Sequence, residues 1–139
     1  MRAFVAFALA ALAATVVAAA GAGAASTSGH TALTVTYWDD GSKTGDKDVW
    51  TLRCNPAAGT LARPAVACRR LNAGGWRLVA PVPAGSICTQ IYGGPQVARV
   101  VGYLQGRRVW ARFTRQDGCQ IARWNRLAPW LLPPGGVTK

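Results

Sequence analysis

Four cysteines, Cys54, Cys68, Cys88 and Cys119, constrain this chain more than any other feature. All lie beyond an N-terminal stretch with the layout of a secretory signal peptide: one positive charge at Arg2, an Ala/Val/Phe-rich run from Ala3 to Ala20, and small residues from Gly21 to Ala25. Ala-x-Ala processing is expected after Ala22 or Ala24, which assigns residues 1–25 to the signal and 26–139 to a single domain. A membrane anchor is the competing reading, because about 18 apolar residues can just span a bilayer. The alanine-dominated run and its small-residue ending favour the signal. Export to an oxidising compartment makes the cysteines disulfide partners, and the expected location is secreted, extracellular. Zinc is disfavoured, since there is no Cys-x-x-Cys pair and the single histidine, His30, sits near the expected mature N-terminus. No metal and no cofactor is expected. Spacing leaves all three disulfide pairings open.

About 115 mature residues suffice for one domain with a modest core, which covalent cross-links would support. The whole chain carries 16 Lys and Arg against five acids, a formal charge of +11, and the five acids are all aspartates. Such an imbalance attracts polyanions of any kind, and it equally serves solubility in a small secreted protein.

In Ala32 to Trp38, Leu33, Val35 and Tyr37 alternate with Thr34 and Thr36, the pattern of a half-buried strand. After the turn-forming cluster Asp39 to Asp46, Val49 to Cys54 reads as its hairpin partner. Pro64 opens a short helix through Leu71 that Asn72 and Gly74-Gly75 end. Trp76 to Gly85 is proline-punctuated connection. Ala98, Val100 and Leu104 alternate with Arg99, Val101 and Tyr103. Past Gly106, Val109, Ala111 and Phe113 alternate with Arg108, Trp110 and Arg112, so this is the clearest hairpin. Cys119, Ile121, Trp124, Leu127 and Leu131 have roughly helical spacing, interrupted by Pro129. The expectation is an α+β domain, an antiparallel sheet of about five strands with two short helices on one face.

Catalysis is disfavoured by inventory, and the protein is not expected to be an enzyme. There is no glutamate, and four of the five aspartates crowd between Asp39 and Asp48 without calcium-loop spacing, which reads as a solvated turn. Arg99, Arg107, Arg108, Arg112, Arg115, Arg123 and Arg126, interleaved with Trp110 and Trp124, offer guanidinium and aromatic planes to an anionic polymer such as nucleic acid or a cell-wall polyanion. That is the alternative function, a basic secreted binding protein. No nucleic-acid reader motif accompanies it, so nucleic acid is a disfavoured partner, and no membrane partner is expected once the signal is cleaved.

Ser86 to Pro95, Ser-Ile-Cys-Thr-Gln-Ile-Tyr-Gly-Gly-Pro, reads as an exposed segment pinned at Cys88 and stopped by glycine and proline. Several separated motifs stand around it in order. They are Leu-Thr-Val-Thr in the first strand, Thr-Leu-Arg-Cys-Asn-Pro around Cys54, Gly59-Thr60, Pro64 through Cys68, Cys-Thr-Gln-Ile-Tyr from Cys88, Gly102 to Val109, and Cys-Gln-Ile-Ala-Arg-Trp from Cys119. In these the chain resembles the subtilisin inhibitor-like family of secreted serine-protease inhibitors, over almost all of its mature length.

The resemblance implies an α+β sandwich and sequential disulfides, Cys54 with Cys68 and Cys88 with Cys119. In the chain-entropy view these would contribute about 3 and about 3.7 kcal/mol. It also implies a reactive loop, Ile87, Cys88, Thr89, Gln90, Ile91 and Tyr92, with the scissile bond Gln90-Ile91. Gln90 would be the primary specificity residue, and Ile87 would reach a further apolar subsite. The implied partner is a subtilisin-like serine protease, with trypsin-like enzymes a second class that prefers Lys or Arg at the primary position. A homodimer through the sheet is implied too, with Trp110 or Trp38 facing outward to serve it. Two features depart from the family: glutamine as primary residue, and an added glycine at Gly93-Gly94, which would loosen the loop.

Overall fold

Alternation makes the first strand one-sided. In the computed structural model, which describes residues 29–42 and 44–135, β1 (Thr31–Trp38) buries Leu33, Val35 and Tyr37 and leaves Thr34 and Thr36 partly exposed on the opposite side. β2 (Asp48–Cys54) pairs with it antiparallel, Leu33 opposite Leu52 and Thr31 opposite Cys54. β3 (Val97–Leu104) occupies the other edge of β1, and β4 (Arg107–Phe113) closes a hairpin on β3, for a strand order β2-β1-β3-β4.

Among the described residues the sheet has four strands, one fewer than the sequence suggests. The connection 79–96 adds none, because Pro81, Pro83 and Pro95 lack the N–H that a ladder requires. The residues 1–25 read as a signal lie outside the described part.

α1 (Pro64–Gly74) begins at its proline, whose missing N–H would be unpaired at a helix start in any case, and turns Ala67, Cys68 and Leu71 inward. α2 (Gly118–Leu127) starts one residue earlier than its apolar spacing suggests, because the Asp117 carboxylate accepts the Gln120 N–H at 2.9 Å and caps it. It stops at Leu127, since Pro129 holds Ala128 extended. Both helices supply buried residues to the same core, together with the inward residues of the sheet. Trp124 stands at its centre, fully buried, 6.1 Å from Tyr37 between ring centres. Two indoles reach over to the C-terminal tail: Trp124 donates to the Pro133 carbonyl at 2.9 Å and Trp50 to that of Leu131 at 3.1 Å. This stitches the tail 128–133 onto the core.

Both expected disulfides are present, Cys54 with Cys68 and Cys88 with Cys119. The first fastens α1 to the end of β2, with the two Cα atoms 5.7 Å apart. Replacing Cys54 and Cys68 together by alanine is expected to lower the unfolding free energy by about 3 kcal/mol, measured by urea denaturation. A change under about 1 kcal/mol would show that α1 docks without the tether.

The outer face of the sheet carries Thr34, Thr36, Arg99, Val101, Tyr103, Arg108, Trp110 and Arg112. The Arg99 guanidinium lies over both Trp38 (5.5 Å) and Trp110 (5.8 Å). Trp110 is 69% exposed, as an outward residue should be. Trp38 is only 6% exposed and is covered in part by Arg99, which corrects the expectation that it faces freely outward.

Candidate functional site

The expected loop stands away from the core. Ile87 is 100% exposed, Ile91 59% and Tyr92 66%, three large apolar side chains held within six residues in water. Single exposed apolar residues are ordinary, but a run of them on one loop marks a contact surface. Thr89 and Gln90 between them are exposed as well, and Cys88 is partly exposed. The Gln90 carboxamide reaches no further than the Cys88 carbonyl, at 3.5 Å.

The loop is approached through a turn at Pro83 to Ser86. There the Ser86 N–H (3.2 Å) and hydroxyl (2.8 Å) both donate to the Pro83 carbonyl, and Gly85 takes a φ of 78° that favours glycine. Beyond this turn one short segment, residues 115–119 between β4 and the first turn of α2, holds the loop on both sides. Cys119 is bonded to Cys88. The Gly118 N–H donates to the Thr89 carbonyl at 2.9 Å, and a Cβ at Gly118 would fall against the Thr89 side chain, so glycine permits this approach. On the other side the Gly93 N–H donates to the Arg115 carbonyl at 2.8 Å, and the Arg115 Nε–H donates back to the Gly93 carbonyl at 3.0 Å. Gln90-Ile91 lies between these anchors.

Gly93 and Gly94 therefore fit their places and are not the loose joint expected of adjacent glycines. Gly93 is bonded through both backbone groups, and a Cβ there would press on Ile121 at 2.8 Å. Gly94 is buried at φ 130°, a conformation that L-residues rarely adopt.

The polyanion candidates divide. Arg107, Arg108, Arg112 and Arg126 are exposed and Arg99 partly so, whereas Arg115, Arg123 and Trp124 are buried and present nothing to a polymer. Arg123 donates from Nε to the Ala80 carbonyl (2.9 Å) and from Nη1 to Gln120 Oε1 (2.8 Å) and the Arg112 carbonyl (3.2 Å), with its guanidinium over Phe113. Burial, aided by the nearby Arg126, lowers its affinity for the proton. These bonds tie the chain ahead of the loop to α2 and β4. The spacing of arginines says nothing of which ones turn inward, because their partners are carbonyls far away in sequence.

The acidic turn is engaged internally. The Tyr37 hydroxyl donates to Asp39 Oδ1 at 2.6 Å and the Ser42 N–H to Asp40 Oδ1 at 2.8 Å. Burial first, then the Asp39 carboxylate, push the Tyr37 phenol well above its usual range. Arg115 and Gly118 are the site residues that sequence reasoning missed. The Asp-Gly before Cys119 signals a turn, but nothing local shows that it lies beneath Thr89.

The model of the family described as subtilisin inhibitor-like matches residues 13–116, a span that includes the whole loop and three of the four cysteines. Streptomyces caespitosus sermetstatin, solved in complex with Bacillus licheniformis subtilisin, is similar at 30% identity. The similarity covers 75% of this chain and 98% of that one, with a TM-score of 0.52. No curated protein matches. With about three quarters of its residues inside the family model, and with a similar fold in a solved inhibitor, the chain belongs to the subtilisin inhibitor-like family.

Proposed function

We propose that this protein is a secreted inhibitor of subtilisin-like serine proteases that binds like a substrate through Ile87 to Tyr92, presenting Gln90-Ile91 to the catalytic serine. The observation that carries the reading is the loop itself, with exposed apolar side chains at Ile87, Ile91 and Tyr92 anchored on both sides to residues 115–119. A pre-held extended segment can add to the protease cleft as a strand through main-chain hydrogen bonds, and it loses little conformational freedom in doing so. The similar sermetstatin structure is a complex with subtilisin, which supports the same class of partner here. The protein supplies a bond and a shape, and the chemistry is the protease's.

Residues 1–25 serve as the export signal in this reading. No helix among the described residues is long and apolar enough to cross a membrane. A second copy would pair through the helix-free face of the sheet around the exposed Trp110.

The test is to titrate the oxidised mature protein into subtilisin, with trypsin and chymotrypsin in parallel, and to locate any slow cut by mass spectrometry. Stoichiometric inhibition of subtilisin with cleavage confined to Gln90-Ile91 is the expected result. Rapid digestion at that bond without inhibition would sink the proposal. Ile87→Asp is expected to weaken inhibition about a hundredfold, because it gives up the burial of an isoleucine and places a carboxylate in an apolar subsite.

A further inference from the structure

Resting on the reading of Gln90-Ile91 as the bond presented to the protease, we propose that Arg115 is a positioning residue that keeps the new amino end of a cut loop in place for religation. The chemistry is a balanced exchange. The protease serine oxygen takes the Gln90 carbonyl carbon, the peptide bond to Ile91 breaks, and the serine's proton passes through the protease base to the Ile91 nitrogen. Water can then complete hydrolysis, or the Ile91 amine can attack the acyl carbon, re-form the peptide bond and return the proton to the serine. Which one wins depends on how long the amine stays near the acyl carbon.

The two sides of the bond are held by different means. On the acyl side, Cys88 is covalently bound to Cys119 and the Thr89 carbonyl is bonded to the Gly118 N–H. On the amine side there is no covalent link near the cut. Ile91 and Tyr92 are exposed, and the first residue tied down is Gly93, two positions on. Both of its ties come from Arg115: the main-chain carbonyl receives its N–H, and the guanidinium donates to its carbonyl.

Arg115 is equipped to hold that position. It is only 8% exposed, its guanidinium lies 5.8 Å from the centre of the Trp124 ring, and its Nη1–H points to Asn125 Oδ1 at 3.4 Å. Gly135 closes over it, since a Cβ there would collide with the guanidinium. A buried charge whose donors meet a loop carbonyl and a helix carboxamide is fixed in direction, and a charge-assisted bond of this kind is among the stronger ones. Arg115 therefore connects the rigid α2 to the one part of the loop that cleavage would release.

The experiment uses Arg115→Met, Arg115→Lys and Asn125→Leu in the full mature protein, with subtilisin. Three quantities are read: the equilibrium ratio of cut to intact inhibitor, the hydrogen exchange of the Gly93 and Gly94 amides in the free protein, and the melting temperature. Arg115→Met is expected to raise the cut-to-intact ratio about tenfold and to speed exchange at Gly93. Arg115→Lys, which keeps the charge but not the planar fork, should fall between it and the parent. Asn125→Leu, at an exposed position, should shift the ratio about threefold in the same direction, and it keeps the idea testable if Arg115→Met does not fold.

A lowered melting temperature with the ratio within twofold of the parent in both Arg115→Met and Asn125→Leu would overturn the proposal and leave Arg115 a purely structural residue. If the parent does not inhibit subtilisin, or is cut only outside Gln90-Ile91, the inhibitor reading falls instead. The exchange measurement then decides on Arg115 alone, and unchanged exchange at Gly93 would overturn its positioning role.

Discussion

Gln90→Pro is expected to weaken inhibition of subtilisin by at least about a thousandfold while leaving the unfolding midpoint where it was. Two effects add. In the proposed binding mode proline removes the N–H at the primary specificity residue, so one strand-like hydrogen bond is lost and its acceptor on the protease is left buried without a partner, a cost of about 1–3 kcal/mol. Its ring also crowds Thr89 and confines the backbone just ahead of the scissile bond, which breaks the fit of the extended segment. Together these exceed about 4 kcal/mol, or three decades of affinity. Stability should not follow, because Gln90 is exposed and outside the core. Inhibition assays beside a denaturation curve make the check. An affinity within tenfold of the parent would mean that another residue occupies the primary subsite. Gln90→Lys offers the complementary result: the fold is kept, and preference moves toward a trypsin-like enzyme.

A second large effect is expected in the core. Trp124→Ala should cost about 4–5 kcal/mol of unfolding free energy, near the top of the range for a large buried aromatic. Trp124 is fully buried, packs on Tyr37, and donates to the Pro133 carbonyl. Its removal leaves a cavity and an unpaired carbonyl, and it takes away one of the two indole bonds that hold the 128–133 tail. Since small domains have about 5–15 kcal/mol in all, the variant should be marginal at room temperature. The Arg115 guanidinium would lose its aromatic support as well, so inhibition should fall even in the fraction that remains folded. Trp124→Phe should recover most of the stability, though not the bond to Pro133. A loss below about 2 kcal/mol for the alanine variant would show that the core collapses around the gap.

Several elements were legible because their information is local. Alternation in Leu33 to Tyr37 and in Val109 to Phe113 states which side of a strand faces inward, and period two leaves no other choice when one face is apolar. Pro64 and Gly74-Gly75 bracket α1 because their backbone chemistry acts where they stand. Where local signals were thin, the strand count came out one too high, since the connection through Pro81, Pro83 and Pro95 pairs with nothing among the described residues. Trp38 shows a different failure. Its parity puts it on the outer face, but whether that face is open depends on where Arg99, sixty-one residues later, lays its guanidinium.

The bounds of the candidate loop were set by the sequence alone, because a cysteine and a glycine-proline stop delimit a segment without reference to anything else in the chain. How that segment is held was decided only in three dimensions. Arg115, counted from sequence among surface cations, is turned under the loop, and Gly118 lies beneath Thr89. The physical reason is that a guanidinium is satisfied equally by water or by backbone carbonyls. Only the packing of α2 and Trp124 against the sheet removes the water and brings the Gly93 carbonyl within reach.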